Sequence, residues 1–399
     1  MACGYKAKVL CSALFVCGRE LDCERAPEIS EDSYRLLRLF RATVDRPGRA
    51  VTASFFGAWP QTAVCRVPSA ASTATAEPVE GPPGLCRVLA SAFTEPDPAR
   101  LRRTRAVVVM QDGKLLAERY APGFAPLTPL PGWSMTKSLF SALVGVLVGE
   151  GRLRLTDRKL ISEWSAAGDP RARISLEDLL RMRSGLAFSE VYSDALADVT
   201  QMLFARDDAA AYAAAKPLAQ PPGSVWNYSS GSSNIVSRIV RGALGEEDYA
   251  ELPRRALFGP LGMPSARLEM DPSGTYVASS FAFATARDWA RFGQLYAQDG
   301  VWEGTRLLPE GWVRFSTSPT APSEGRYGAQ WWLRLHPELG GDTEAAKRIP
   351  QDAFYALGHE GQVLTVIPSL RLVIVRMGLS IKQGAWDQAA FLADVLSAL

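Results

Sequence analysis

The stretch "GWSMTKSLFSALVGVLVGEGRLRLTD", residues 132–157, places Lys137 three positions after Ser134 at the mouth of an apolar run. On a helix, residues i and i+3 share a face, so the amine can reach the serine hydroxyl. As a surface charge the lysine is mildly misplaced, because the start of a helix favours anions. Desolvated beside an apolar helix, its pKa falls, and a neutral amine can act as base for an attacking serine. The N–H groups at the same helix start could hold an oxyanion. The plainer alternative is that Ser134 caps the helix and Lys137 is solvated.

Two more stretches carry chemistry of the same kind. "PPGSVWNYSSGSSNIVSRIV" sets Tyr228 in a turn just before a helix, followed by Ser229 and Ser230. Such a tyrosine is ordinarily a half-buried packing residue. Facing Lys137, it is expected to have its phenol pKa lowered by the ammonium and to share in moving the Ser134 proton. "ALGHEGQVLTVIP" is a Gly-rich turn entering a strand, with His359, Glu360, Gly361 and Gln362 where backbone N–H groups are exposed. The glycines allow a ligand to approach the backbone closely.

The elements that must hold these residues are legible from pattern. "RAVVVMQDGKLLAERYAPG" has two β-prone runs around Asp112-Gly113, a two-residue hairpin signal. "GQVLTVIPSLRLVIVRMG" reads as a second hairpin turned at Pro368-Ser369, and "WDQAAFLADVLSAL" as a closing amphipathic helix. Residues 160–255 are rich in helix formers. Strands at both ends enclosing a helical middle predict an α+β fold, with an antiparallel sheet flanked by helices and an inserted helical subdomain. The expected division is residues 1–98 as an N-terminal extension and 99–399 as the main domain. Within that domain 99–158 and 262–399 form the α/β part and 159–261 the helical part.

The extension contains a plausible helix ("EDSYRLLRLFRA"), a strand ("RAVTASFFG") and a Ser/Ala/Thr/Pro/Gly linker over 69–84. Its first residues read as a weak signal peptide or a first strand. All six cysteines lie within the first 86 residues, and disulfides and buried free thiols are both compatible with that. There is no C-x-x-C pair, and the two histidines, His336 and His359, do not make a metal site.

Bulk composition narrows the classes. The chain has 399 residues, 47% hydrophobic and 22% charged, with a net charge of +2. That balance gives neither a nucleic-acid footprint nor a polybasic membrane face. The longest apolar run, Leu139 to Gly149, is too short to span a bilayer.

Taken in order, the three stretches resemble the serine β-lactamase and penicillin-binding-protein superfamily. Its pattern is S-x-x-K at a helix start, Y-x-N or Y-x-S in the helical part, and a K-T-G-like triplet at a sheet strand. "MRSGLAFSEVYSD", "ASSFAFATARDWARFGQLYAQDGVW", "LLPEGWV", "YGAQWW" and "GHEGQ" are similar to the 6-aminohexanoate-dimer hydrolases and the β-lactamase-like (family VIII) carboxylesterases. The resemblance runs from about residue 100 to the C-terminus.

It implies that Ser134 is the nucleophile, that Lys137 and Tyr228 are its general-base pair, and that the backbone N–H groups of Ser134 and Gln362 form the oxyanion hole. Tyr192 matches a substrate-contacting tyrosine on a loop that can close. Trp133, Ser230, His359 and Gly361 fall among the substrate-binding residues. Ser230 stands where β-lactamases carry asparagine, and His359 where they carry the lysine of K-T-G. With an ordinary pKa near 6.5, histidine is a weaker carboxylate anchor.

The expected activity is therefore hydrolysis of esters or small linear amides through an acyl-enzyme. The alternatives are D,D-peptidase, penicillin-binding or weak β-lactamase activity, or a silent ligand-binding protein. No G-x-S-x-G elbow is present. A small-molecule ester or amide is the expected partner, without cofactor, metal or nucleic acid. Similarity of the first 98 residues to a segment ahead of exported relatives favours an extracytoplasmic location.

Overall fold

A computed structural model of the protein describes residues 1–70, 72 and 74–399. At its centre is a five-stranded antiparallel sheet in the order Phe354–Gly358, Gln362–Ile367, Leu372–Gly378, Thr104–Gln111, Lys114–Tyr120. The two ends of the chain meet where Val109 pairs with Ile374 and Val108 with Val375. Asp112 and Gly113 both adopt positive φ, 49° and 77°, as the tight hairpin between the first two strands requires. The second expected hairpin turns over Pro368–Leu370.

Alternation along these strands separates two cores. Val108, Met110, Val373 and Val375 face one side, while Val107, Val109, Leu372 and Ile374 face the other. Helices Pro83–Ser91 and Gln388–Ala398 cover the second side with Leu85, Leu89, Leu392 and Val395. Helix Ala286–Ala297 lies against the first, close enough that a Cβ on Gly293 would come within 2.6 Å of Val373. A sheet buried on both faces makes a stiff platform, since each strand is pinned by packing above and below.

Helix Met135–Gly149 is buried along nearly its whole length. The helices Leu176–Leu180, Asp198–Ala205, Ala209–Ala214, Ser230–Leu244 and Glu246–Pro253 lie between the two halves of the sheet in sequence. This is the expected α+β arrangement, an antiparallel sheet flanked by helices with further helices inserted between its halves.

The N-terminal residues depart from their expected local structure. Ala2–Cys11 is a helix rather than a strand, and it packs across a three-stranded antiparallel sheet, Phe40–Asp45, Ala50–Phe55 and Ala58–Val64. Cys3, Ala7, Leu10 and Cys11 recur at helical spacing and are buried. The expected helix over "EDSYRLLRLFRA" is a 3₁₀ stretch, Asp32–Leu39, that gives way to strand at Phe40. The strand expected at "RAVTASFFG" forms as Ala50–Phe55. All six cysteines are free thiols. Positions 71 and 73 of the expected linker lie outside the described residues. Leu10, Val16, Ile29 and Val51 share one hydrophobic core with the helix that follows Ser134.

Among the described residues no helix is long and apolar enough to cross a membrane, and no cluster of three metal-ligating side chains occurs.

Candidate active site

The chain enters the Ser134 corner from a short strand, Leu130–Pro131, and turns sharply at Trp133, whose φ is 47°. Ser134 then sits at the N-cap of helix Met135–Gly149 without making a capping hydrogen bond. A cap serine normally spends its oxygen on the helix N–H groups, so this hydroxyl is left for another partner. That partner is Lys137, one turn on, whose Nζ is 2.8 Å from Ser134 Oγ.

Lys137 is only 1% exposed. Its amine also lies 3.1 Å from Ser230 Oγ and 3.0 Å from the Ser279 carbonyl. Burial brings its pKa from 10.5 down to about 8, with the nearby Glu190 carboxylate opposing part of the fall. The sequence-based reading of a desolvated amine facing the serine holds in this geometry.

Tyr228 closes the corner from the helical side, with Lys137 Nζ 4.9 Å from its ring centroid. Its phenol behaves contrary to expectation. Burial and the Glu190 carboxylate push its pKa up, and the Ser134 hydroxyl pulls it back only in part. The raised pKa keeps Tyr228 a neutral O–H.

Glu190 is the residue that sequence reasoning passed over. It accepts from the Ser230 backbone N–H at 2.8 Å, from the Ser230 hydroxyl at 2.5 Å and from the Tyr192 hydroxyl at 3.0 Å. Burial raises its pKa, and Lys137 and these hydrogen bonds oppose that rise. The signal was present in "SEVYSD", two residues before Tyr192, but a lone acid in a loop has no periodicity to mark it.

The remaining candidates line a second flank. Tyr192 stacks on His359 with ring centroids 5.1 Å apart and planes 16° from parallel. Trp133 meets the same imidazole edge-on at 5.6 Å. His359 Nε2 is 3.0 Å from the Tyr34 hydroxyl of the N-terminal segment. The turn His359–Gly361 is pinned by Gln362, whose side-chain amide donates to the His359 and Gly378 carbonyls and accepts from the Gly378 N–H. Gly361, at φ 78°, gives its carbonyl to Arg376. Its role here is to make the turn. Opposite this flank Trp226, Tyr228, Tyr327 and Trp332 form an aromatic wall, with Tyr228 and Trp332 5.2 Å apart.

Ser134, Lys137, Tyr228, Ser230 and Tyr192 thus converge, with Trp133 and His359 beside them. Residues 90–378 match the family model described as beta-lactamase. The chain belongs to the beta-lactamase family. It is 27% identical over 298 residues to a 6-aminohexanoate-dimer hydrolase of Paenarthrobacter ureafaciens, covering 69% of this chain and 72% of that one. A Bacillus anthracis structure provisionally named a 6-aminohexanoate-dimer hydrolase superposes with a TM-score of 0.62 at 22% identity, covering 94% of both chains. A family VIII carboxylesterase superposes with a TM-score of 0.59 at 16% identity, over 81% of this chain and all of that one. These beta-lactamase-family relatives are hydrolases, and so is this chain.

Proposed function

We propose that the protein is a serine hydrolase that cleaves esters or small linear amides through an acyl-enzyme on Ser134. The observation that carries this is the 2.8 Å contact of Ser134 Oγ with a buried lysine whose pKa has fallen to about 8.

The hydrogen-bond inventory fits the neutral base as well as the ammonium, whose three N–H groups would serve Ser134, Ser230 and Ser279. A neutral amine has two N–H groups and one lone pair. The Ser279 carbonyl can only accept, so it takes one N–H. Ser230 donates its own proton to Glu190, so its oxygen accepts the other. The lone pair is left for the Ser134 O–H.

In the forward step Lys137 takes the Ser134 proton as Oγ attacks the substrate carbonyl. The oxyanion is held by the Ser134 and Gln362 N–H groups, as the family resemblance implies. Tyr228, kept neutral, hands a proton to the departing alkoxide or amine and recovers it by way of Lys137. Water then attacks the acyl-enzyme, and the acid leaves as Ser134 regains its proton. Ser230 is engaged with Glu190 and His359 with Tyr34, so neither is a free anchor for a substrate carboxylate. With the aromatic wall, this favours uncharged esters and linear amides over penicillins.

Release of p-nitrophenol from p-nitrophenyl butyrate by wild type and Ser134→Ala tests the reading. The variant is expected to lose at least about a hundredfold. Equal turnover by both would remove Ser134 from the reaction.

A further inference from the structure

Two backbone donors stabilise a tetrahedral oxyanion only when they are fixed and aimed at one point. Here they come from separate turns, residues 132–134, which open helix Met135–Gly149, and His359–Gly361, which enters strand Gln362–Ile367. Trp133, the residue before Ser134, donates its indole N–H to Glu360 Oε2 at 3.2 Å. Glu360 lies two residues before Gln362. Both Trp133 and Glu360 hold left-handed backbone, at φ 47° and 62°. Strain of that kind persists only where the surroundings over-determine it.

The loops also touch directly, since a Cβ on Gly358 would come within 2.3 Å of the Gly132 carbonyl oxygen. From the N-terminal segment Tyr34, with Tyr5 stacked on it at 5.1 Å, reaches the neighbouring His359. Glu360 is 8% exposed, and the Tyr34 hydroxyl lies close enough to its carboxyl to oppose the rise in pKa that burial brings. Packing alone would place an apolar side chain there, because burying a carboxyl is costly.

We propose that Glu360 is a positioning residue, which grips the Trp133 indole and so locks the two loops with the Ser134 and Gln362 N–H groups converging on one oxyanion. Tyr34 holds the adjoining His359 and makes the N-terminal segment part of this assembly. The proposal rests on the oxyanion hole assigned under the proposed function.

The test is p-nitrophenyl butyrate kinetics, with active sites counted by covalent labelling of Ser134 with a fluorophosphonate. Trp133→Phe and Glu360→Met are each expected to lower kcat about tenfold or more while KM stays within about twofold. The double variant should lose no more than the worse single one, because both break the same contact. Glu360→Gln, whose amide oxygen still accepts the indole N–H, should keep kcat within about threefold.

Wild-type kcat in Trp133→Phe overturns the proposal. So do losses that multiply in the double variant, or a Glu360→Gln as poor as Glu360→Met. Should Glu360→Met fail to fold, Trp133→Phe against Glu360→Gln decides alone. Ser134→Ala separates the two levels. If it retains turnover, the whole site reading falls; if it is dead and Trp133→Phe is intact, only the positioning role falls.

Discussion

Glu190 binds Ser230 and Glu360 binds Trp133, both beside the Ser134 corner, and burial raises the pKa of each. Their surroundings diverge from there. Glu190 accepts from the Ser230 N–H, the Ser230 hydroxyl and Tyr192, and it faces the Lys137 amine. Glu360 holds an indole N–H and is opposed by His359 and Arg105. The first is coupled by charge to Lys137, the proposed proton acceptor, and the second by geometry to the loop that carries Ser134, the proposed nucleophile. Burial of a carboxyl therefore assigns no role by itself. The partner across the gap does.

The sharpest test of the charge-coupled side is Lys137→Met. Its kcat/KM is expected to fall at least about a thousandfold, since no other base lies against Ser134. The same change should raise thermal stability at neutral pH. The lysine's folded pKa, about 8, lies below its ordinary 10.5, so the unfolded chain binds more protons between those values. Wild-type stability thus rises with pH through that window, and the methionine variant lacks the rise. Melting curves at pH 7 and pH 10 would show it. A variant less stable than wild type at pH 7 would mean that the amine's hydrogen bonds outweigh its desolvation.

Tyr228→Phe should cost about 10- to 100-fold in kcat at neutral pH by removing a neutral proton donor. A larger loss at high pH than at neutral pH would restore the phenolate role that the buried ring argues against.

Finer still is the pH profile. Wild-type kcat/KM should rise with pH through about 8 as Lys137 loses its proton. Because Glu190 holds that pKa up, Glu190→Gln should move the rising limb to lower pH. Glu360→Gln should leave it in place. If both variants move the limb, the two carboxyls share one electrostatic field and the contrast between them fails.

What the sequence disclosed follows from the range of the interactions. Ser134 and Lys137 are legible because their contact is one helical turn long. The central sheet is legible because Asp112-Gly113 and Pro368-Ser369 mark its hairpins locally. Glu190 and Glu360 are not, since their partners Ser230 and Trp133 lie 40 and 227 residues away. The first helix was misread for the same reason. Lys6 is fully buried because its amine reaches the Leu37 and Phe40 carbonyls, and a lysine there suggests a wet surface to any pattern read along the chain. Tyr228 lies against Lys137 as expected, but its titration runs the other way, because the ring is buried and Glu190 lies near it.

The pairing of Val109 with Ile374 sets an order of events during synthesis. The ribosome releases Tyr34 and the hairpin Thr104–Tyr120 hundreds of residues before the last three strands emerge. Until then the hairpin has an open edge at Thr104–Gln111, and Tyr34 lacks His359. The half-made chain therefore lacks the 359–362 flank of the Ser134 corner. It must also wait with an apolar, unpaired strand exposed, which makes the nascent polypeptide a natural client for holding chaperones.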